Sequence, residues 1–288
     1  MPEMPEVQAL ATDLAAKLVG RRIGSLQVLS FAALKTFDPA VSELGGTIVD
    51  DVTRHGKFLD LRVDSGLHLV IHLARAGWLR WSDHLPVLNR TARTAAAARI
   101  VLEDGSGITI TEAGTKKGLA LWVVRDPADV PGIATLGPEP LDPSFDEAAF
   151  AAVLAAAGRA QIKGVLRDQG RIAGIGNAYS DEILHAATMS PFKPAAMTPE
   201  EVSRLFTATQ SILRAAIARA DGLPATELKG EKKASMRVHG RTGEPCPVCG
   251  DTVRQVRFAD NSLQYCPTCQ TGGKPLADRA LSRLGITV

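Results

Sequence analysis

The sequence predicts an α+β multidomain protein: an N-terminal antiparallel β-sandwich fronted by a helix, a helical middle, and a C-terminal cysteine-bearing β-ribbon. Three observations carry this. Short alternating apolar–polar runs fill residues 23–124, the period-2 signature of half-buried strands. Ala/Leu/Ile-rich stretches at helical spacing follow between 145 and 220. All four cysteines of the 288-residue chain fall between 246 and 269.

The elements follow in order. Residues 7–18 place apolar side chains at helical spacing, and Gly20 closes the helix. Strands are expected at 23–29, 47–52, 58–63, 68–73, 99–102, 107–111 and 119–123, many of them separated by Gly, Asp, Ser or Asn. Asp126-Pro127, Pro131-Gly132 and Gly137-Pro138-Glu139-Pro140 are breakers. They set a sandwich domain at 1–131, a linker at 132–140 and a helical domain at 141–239. A ribbon at 240–270 and a tail at 271–288 complete the chain. Helices are expected at 145–157, 160–169, 178–187 and 199–220. The last starts on Thr198-Pro199-Glu200-Glu201, with a capping hydroxyl, proline at the first position and acids at the positive dipole end. In the tail, 277–284 reads as a short helix closed by Gly285.

Composition excludes several classes. An apolar fraction of 45% and a charged fraction of 22% suit a soluble folded chain. The longest apolar run, 148–157, is too short for a bilayer. The opening Met-Pro-Glu-Met-Pro-Glu lacks the basic, apolar character of a signal peptide, so a cytoplasmic protein is expected. Net charge is only +2, but residues 221–288 carry +3. Five cations from Lys229 to Arg241 face one acid, Glu231. Alone, such a run reads as a solvated loop. Beside the cysteines it suggests a grip on nucleic acid.

Cys246-x-x-Cys249 and Cys266-x-x-Cys269 are two thiolate pairs, each spaced to reach one tetrahedral ion. Two disulfides or four idle thiols are the alternatives. A cytosolic location opposes the first and the clustering opposes the second. One structural zinc ion is therefore expected, with all four positions filled by sulfur and none open for chemistry.

Several motifs in one order then resemble the formamidopyrimidine-DNA glycosylase/endonuclease VIII family. They are Met-Pro-Glu-Met-Pro-Glu-Val at 1–7, Gly56-Lys57-Phe58-Leu59, Ile71-His72-Leu73 with Gly77-Trp78-Leu79-Arg80, and Leu136-Gly137-Pro138-Glu139-Pro140-Leu141. Gly174-Ile175-Gly176-Asn177-Ala178-Tyr179 with Glu182, and Gly240-Arg241-x-Gly243-Glu244-Pro245-Cys246, continue the likeness to about residue 270. The resemblance implies that the helical part is a helix–two-turn–helix DNA-binding domain and the ribbon a zinc finger. It further implies a monomeric enzyme of base excision repair, acting on damaged DNA in the cytoplasm or nucleoid.

By this resemblance Pro2, N-terminal once Met1 is removed, is the nucleophile, and Glu3 and Lys57 are the catalytic residues beside it. An α-amine suits the task, because it titrates near about 7.7–8.0 where a lysine does not. Glu3 would handle protons on the sugar and the adduct. Glu6 and Glu182 would form an inner acidic network, although Glu3 and Glu6 could equally cap a helix start. His72, Lys163, Asn177 and Lys229 are expected on DNA phosphates, with Asn177 at a helix start that favours anions.

Three departures from the family bear on substrate. Arg75 stands where the family has its void-filling residue, and Lys116 and Lys117 replace the partner arginine and aromatic wedge. The zinc-finger arginine is replaced by Asn261, leaving Arg254 and Arg257 as substitutes, and the family tyrosine before the finger is His239. The segment between Gly222 and Gly240 is short, which resembles the endonuclease VIII branch and favours oxidised pyrimidines or abasic sites over 8-oxoguanine. A weakened wedge matters less on single-stranded or bubble DNA, so these are the favoured forms beside duplex. A non-catalytic DNA-damage-binding protein of the same fold is the alternative reading. A plain zinc-ribbon adaptor ranks last, since it leaves the N-terminal motif unexplained.

Overall fold

The computed structural model describes residues 1–87, 95–259 and 261–277. Helix α1 (Met4–Leu18) starts with Pro5 in its first turn and a hydrogen bond from the Glu3 backbone N–H to Glu6 Oε2 at 2.8 Å. Its apolar face, Val7, Leu10, Leu14 and Leu18, is buried.

Two four-stranded antiparallel sheets follow. Strands β1 (Ile23–Val28), β6 (Ala96–Leu102), β7 (Gly107–Glu112) and β5 (Gly77–Ser82) form one, in that order. Strands β2 (Val49–His55), β3 (Phe58–Val63), β4 (His68–His72) and β8 (Ala120–Val124) form the other. Alternation sorts the side chains. Leu59, Leu61, Leu69, Ile71, Leu121 and Val123 meet Leu79, Ala98, Ile100, Ile108 and Ile110 in one core shared with α1. The opposite face of the second sheet presents Phe58, Val70 and Val124 to Val130, and helix α2 (Pro131–Ala134) adds Ile133.

The expected sandwich and its preceding helix are thus present. Strand β5 was not expected as a separate strand: Gly77-Trp78-Leu79-Arg80-Trp81 lacks clean alternation in polarity, and pairing with β7 decides its state. Helix α1 begins three residues earlier than its apolar spacing suggests. Proline is tolerated in a first turn, where its missing N–H has no intrahelical partner to lose.

The helical part comprises α3 (Glu147–Ala157), α4 (Ile162–Arg167), α5 (Asn177–Ala186) and α6 (Pro199–Ala220). The first part of the basic run is helical rather than a loop. Residues Leu228–Ser235 wind into α7, with Lys232 4.6 Å from the Tyr179 ring centroid and Glu231 paired with Arg219 at 3.0 Å. Strands β9 (Arg254–Arg257) and β10 (Ser262–Tyr265) form the ribbon, and α8 (Pro267–Thr271) closes it. Beyond Ala277, the helix expected at 277–284 lies outside the described residues. The chain divides into two compact units, 1–136 with 220–229, and 137–219 with 230–288. No described helix is long and apolar enough to cross a membrane.

The turn from β4 to β5 depends on Gly77. Its N–H bonds Leu73 O at 2.8 Å, and an added Cβ would lie inside contact distance of Leu73 O and only 2.8 Å from Leu73 C. Gly77→Ala is expected to destabilise the protein by about 1–3 kcal/mol, the usual cost of forced overpacking. Urea denaturation measures it, and wild-type stability in the variant would remove this account of the turn.

Candidate active site

One end of the sandwich gathers the sequence-predicted residues of the first unit. Register places His55, Phe58, His72 and Ala120 in one cross-strand row. The β2–β3 hairpin beyond this row is the two-residue turn Gly56-Lys57, with Gly56 at φ +54°. Such a turn requires positive φ, which glycine adopts without steric cost. Arg54 ties the hairpin to α1, donating to Gly56 O at 2.7 Å and to Gln8 Oε1 at 3.1 Å. The first turns of α1 therefore lie beside Lys57. Pro2, Glu3 and Glu6 are all buried, as is Lys57.

His72 stands on the outer face of β4 with its ring 4.7 Å from that of Phe58. Burial, then the Lys57 ammonium, hold its pKa down at about 4. The imidazole is therefore neutral at pH 7 and can meet a phosphate only through a single N–H.

Arg75 is exposed in the β4–β5 turn, preceded by Ala74 at φ +50°. Lys116 and Lys117 are exposed in the β7–β8 loop. That loop is wrapped around buried Glu112, whose Oε1 accepts the N–H groups of Gly118 (2.7 Å) and Leu119 (2.9 Å). Lys117 Nζ is drawn back onto Glu112 O at 2.6 Å. The Ala113 N–H bonds Ala76 O, so turn and loop stand side by side. Lys229 lies over Trp78, 4.2 Å from its ring centroid, and Trp78 Nε1 donates to Ala225 O at 3.0 Å.

In the second unit the placement corrects one expectation. Lys163 does not face solvent for a phosphate. It is buried, and its three N–H donors reach Asp181 Oδ1 (2.6 Å), Ser180 Oγ (2.8 Å) and Asn177 O (3.1 Å). Glu182, expected in an inner acidic network, acts on backbone: its carboxylate accepts the N–H groups of Arg237, Val238 and His239 at 2.8–2.9 Å. Asn177 is the first residue of α5, following the cap position at Gly176. Its amide donates to Ser262 O at 2.8 Å, while its Oδ1 is buried and finds no donor among the described residues. A phosphate at this helix start would therefore meet backbone rather than the amide nitrogen. Arg254 and Arg257 are exposed on β9.

The four cysteine sulfurs lie within 4.8 Å of one another. A tetrahedral zinc with Zn–S of about 2.3 Å needs sulfurs roughly 3.8 Å apart, so the residues fit the ion. Burial pushes the Cys266 thiol up to about 11 and Cys269 higher still. Loading a cation must therefore expel protons.

Sequence reading missed two residues here. Asp181, fully buried, takes His239 Nδ1 at 2.7 Å and the Gln264 N–H at 3.2 Å as well as Lys163. His185 on α5 directs Nε2 at Cys246 Sγ, 3.3 Å away, and its Nδ1 is buried with no partner among the described residues. Burial, then Arg237, lower its pKa, leaving one N–H, which the thiolate accepts. A histidine three residues beyond Glu182 gives no sequence signal of this, because the contact spans 61 residues.

Comparison with known proteins follows the same three parts. Residues 1–114 match the formamidopyrimidine-DNA glycosylase N-terminal domain, 136–226 its H2TH domain, and 243–272 a zinc finger found in FPG and IleRS. A formamidopyrimidine-DNA glycosylase-like protein of Mycobacterium tuberculosis is 56% identical over 158 residues, 54% of this chain and 98% of its own. The formamidopyrimidine-DNA glycosylase of Symbiobacterium thermophilum is 36% identical, covering 94% of this chain and 89% of its own. Among solved structures, the MutM (Fpg) protein of Thermus thermophilus superposes with a TM-score of 0.80 at 31% identity, covering 95% and 100% of the two chains. The Lactococcus lactis enzyme, bound non-covalently to DNA containing an abasic site, gives 0.80 at 25% identity, covering 93% and 99%.

Two measurements check this geometry. The depressed His72 pKa means that its stabilising contribution is full above about pH 6.5 and is lost as pH falls toward about 4. His72→Gln should flatten the stability difference between pH 7.5 and 4.5 in urea titrations, and an unchanged slope would contradict the assignment. His185→Phe is expected to speed zinc loss to a chelator by about tenfold. Equal release rates would make the N–H···S contact incidental.

Proposed function

The chain belongs to the formamidopyrimidine-DNA glycosylase family, and from that premise we propose that it is a bifunctional DNA glycosylase and abasic-site lyase of base excision repair. The observation that carries the reading is the buried N-terminal turn, where Pro2 precedes Glu3 and the Glu3 N–H is fixed on the Glu6 carboxylate. Once Met1 is removed, the secondary amine of Pro2 attacks C1′ of the damaged nucleotide and the C1′–base bond breaks. The base leaves with a proton, and ring opening forms an iminium cation at C1′. That cation draws electrons from C2′ after loss of a C2′ proton, and the 3′-phosphate departs by elimination. Glu3, next to the amine, is the group suited to move these protons. Lys57, beside the first turns of α1, is suited to the sugar and its phosphates.

The lesion preference we infer is an oxidised pyrimidine or an abasic site rather than 8-oxoguanine. The segment after Gly222 supports it: α7 takes up much of the interval before Gly240, with Lys229 packed on Trp78. Arg75, Lys116 and Lys117 form a cationic set, and cations lack the apolar surface with which a wedge fills a base gap. An unpaired or abasic position makes less demand of that kind, since unstacking costs least there.

The test is a borohydride trap on oligonucleotides carrying one abasic site. A covalent complex with strand cleavage is expected for the wild type. It should vanish in Pro2→Gly and fall at least tenfold in Glu3→Gln. Absence of any complex, with Met1 removal verified by mass and zinc bound, would leave a damage-binding protein without chemistry.

A further inference from the structure

The outer face of strands β5, β7 and β6 carries a trench of about 650 Å³ of whose lining only Lys229 has been given a role above. Register builds its floor. Arg80 pairs with Thr109 across β5 and β7, and Thr109 pairs with Arg99 across β7 and β6. Two guanidiniums therefore flank one hydroxyl in a cross-strand row. Trp78 and Thr111 form the next row on the same face, and Lys229 closes the wall above the indole.

Charge and shape together define what fits. Three cations converge, and no carboxylate is among the described residues that line the trench. The crowding is felt at Lys229, whose ammonium is disfavoured first by burial and then by Arg80. Arg99 is a fixed cation, 5% exposed and bonded to Pro86 O at 2.7 Å. An anion relieves this repulsion, more strongly in a half-buried cleft than in open water. The remaining wall is apolar, built by Ala76, Ala96 and Ala113 around the edge of Trp78, itself only 8% exposed, with Trp81, Pro86 and Val87 beyond it. Phosphates with planar bases between them satisfy both features. At the Ala76–Ala113 end the trench opens beside the turn bearing Arg75 and the loop bearing Lys116 and Lys117.

We propose that this trench is a track for an unpaired DNA strand, with Arg80, Arg99 and Lys229 on its phosphates and the Trp78–alanine wall against its bases. The proposal rests on the DNA-repair reading for its choice of ligand, but not on the lyase step. A duplex keeps its bases stacked inside, so the apolar wall has a planar partner only in an unpaired strand. An acidic protein segment would match the cations but leave the apolar wall without a planar partner.

Binding of fluorescein-labelled, undamaged oligothymidylate by the full-length zinc-loaded protein tests this. Arg80 is exposed, so Arg80→Glu is expected to fold. It should weaken oligothymidylate binding at least tenfold, leave undamaged duplex within twofold, and leave borohydride trapping on duplex abasic DNA unchanged. Thr111→Glu, which adds a carboxylate to the same floor, should act alike. Equal loss for single strand and duplex would overturn the proposal, as would displacement of oligothymidylate by polyglutamate at matched charge. Arg80-dependent single-strand binding in a protein that gives no trapped complex would support the trench and refute the lyase alone.

Discussion

The second unit depends on one pair of adjacent buried carboxylates, Asp181 and Glu182, in the middle of α5. A carboxylate inside a protein is costly unless its oxygens are saturated by donors. Here the donors come from everywhere the unit must be joined. Lys163 supplies α4, Gln264 supplies β10, and residues 237–239 supply the chain entering the ribbon. One turn on, His185 adds a bond to the metal ligand Cys246. Helix α5 thus holds the ribbon from its near strand, its entering chain and its zinc knuckle. Removing Glu182 would orphan three backbone N–H groups at once, and removing Asp181 would orphan one together with the buried Lys163 ammonium; each unsatisfied buried donor costs about 1–3 kcal/mol.

The first unit uses the same device on a smaller scale. Glu6 takes the Glu3 N–H and fixes the residue that follows Pro2. Glu112 takes two N–H groups of the loop that presents Lys116 and Lys117. In both cases a buried acceptor fixes backbone: in the first beside the buried Pro2 and Glu3, in the second beneath the exposed Lys116 and Lys117. Fixing the donors in advance spares the ordering cost that a mobile loop meets when it binds. Positioning by backbone also explains why these acids sit a few residues from the groups they serve.

Much of this was legible in the chain because it is encoded locally. The alternation in β2, β3, β4 and β8, the cap at Thr198-Pro199 and the two Cys-x-x-Cys pairs each specify their structure within a few residues. The resemblance likewise rests on short contiguous motifs. What was not legible depends on distant partners. Lys163 reads as a surface cation until α5 brings Asp181 within 2.6 Å. Glu182 reads as part of an inner acidic network, and only the fold shows that its partners are backbone N–H groups of a segment 55 residues later. The basic run reads as a loop because its charges repel in isolation; Glu231 with Arg219, and Lys232 over Tyr179, supply the compensation that lets α7 form. Strand β5 fails the pattern test because its outward face carries Trp78, a large apolar residue, where a solvated sheet face would carry a polar one.

That outward tryptophan and the cationic loops are connected by geometry. The family resemblance sets a void-filling residue, an arginine and an aromatic wedge where this chain has Arg75, Lys116 and Lys117, so apolar surface has left the loops while indoles line the adjoining sheet face. A wedge holds a duplex open by replacing a base within the stack, and a guanidinium or ammonium does so poorly because it must shed water to enter. Cations on an outer rim, with an aromatic wall further along the same sheet, suit a strand that is already open: phosphates meet charge first and bases meet the indole second. On this reading the nucleophile and its acids are kept, while the work of separating strands is reduced to receiving one that is already separate.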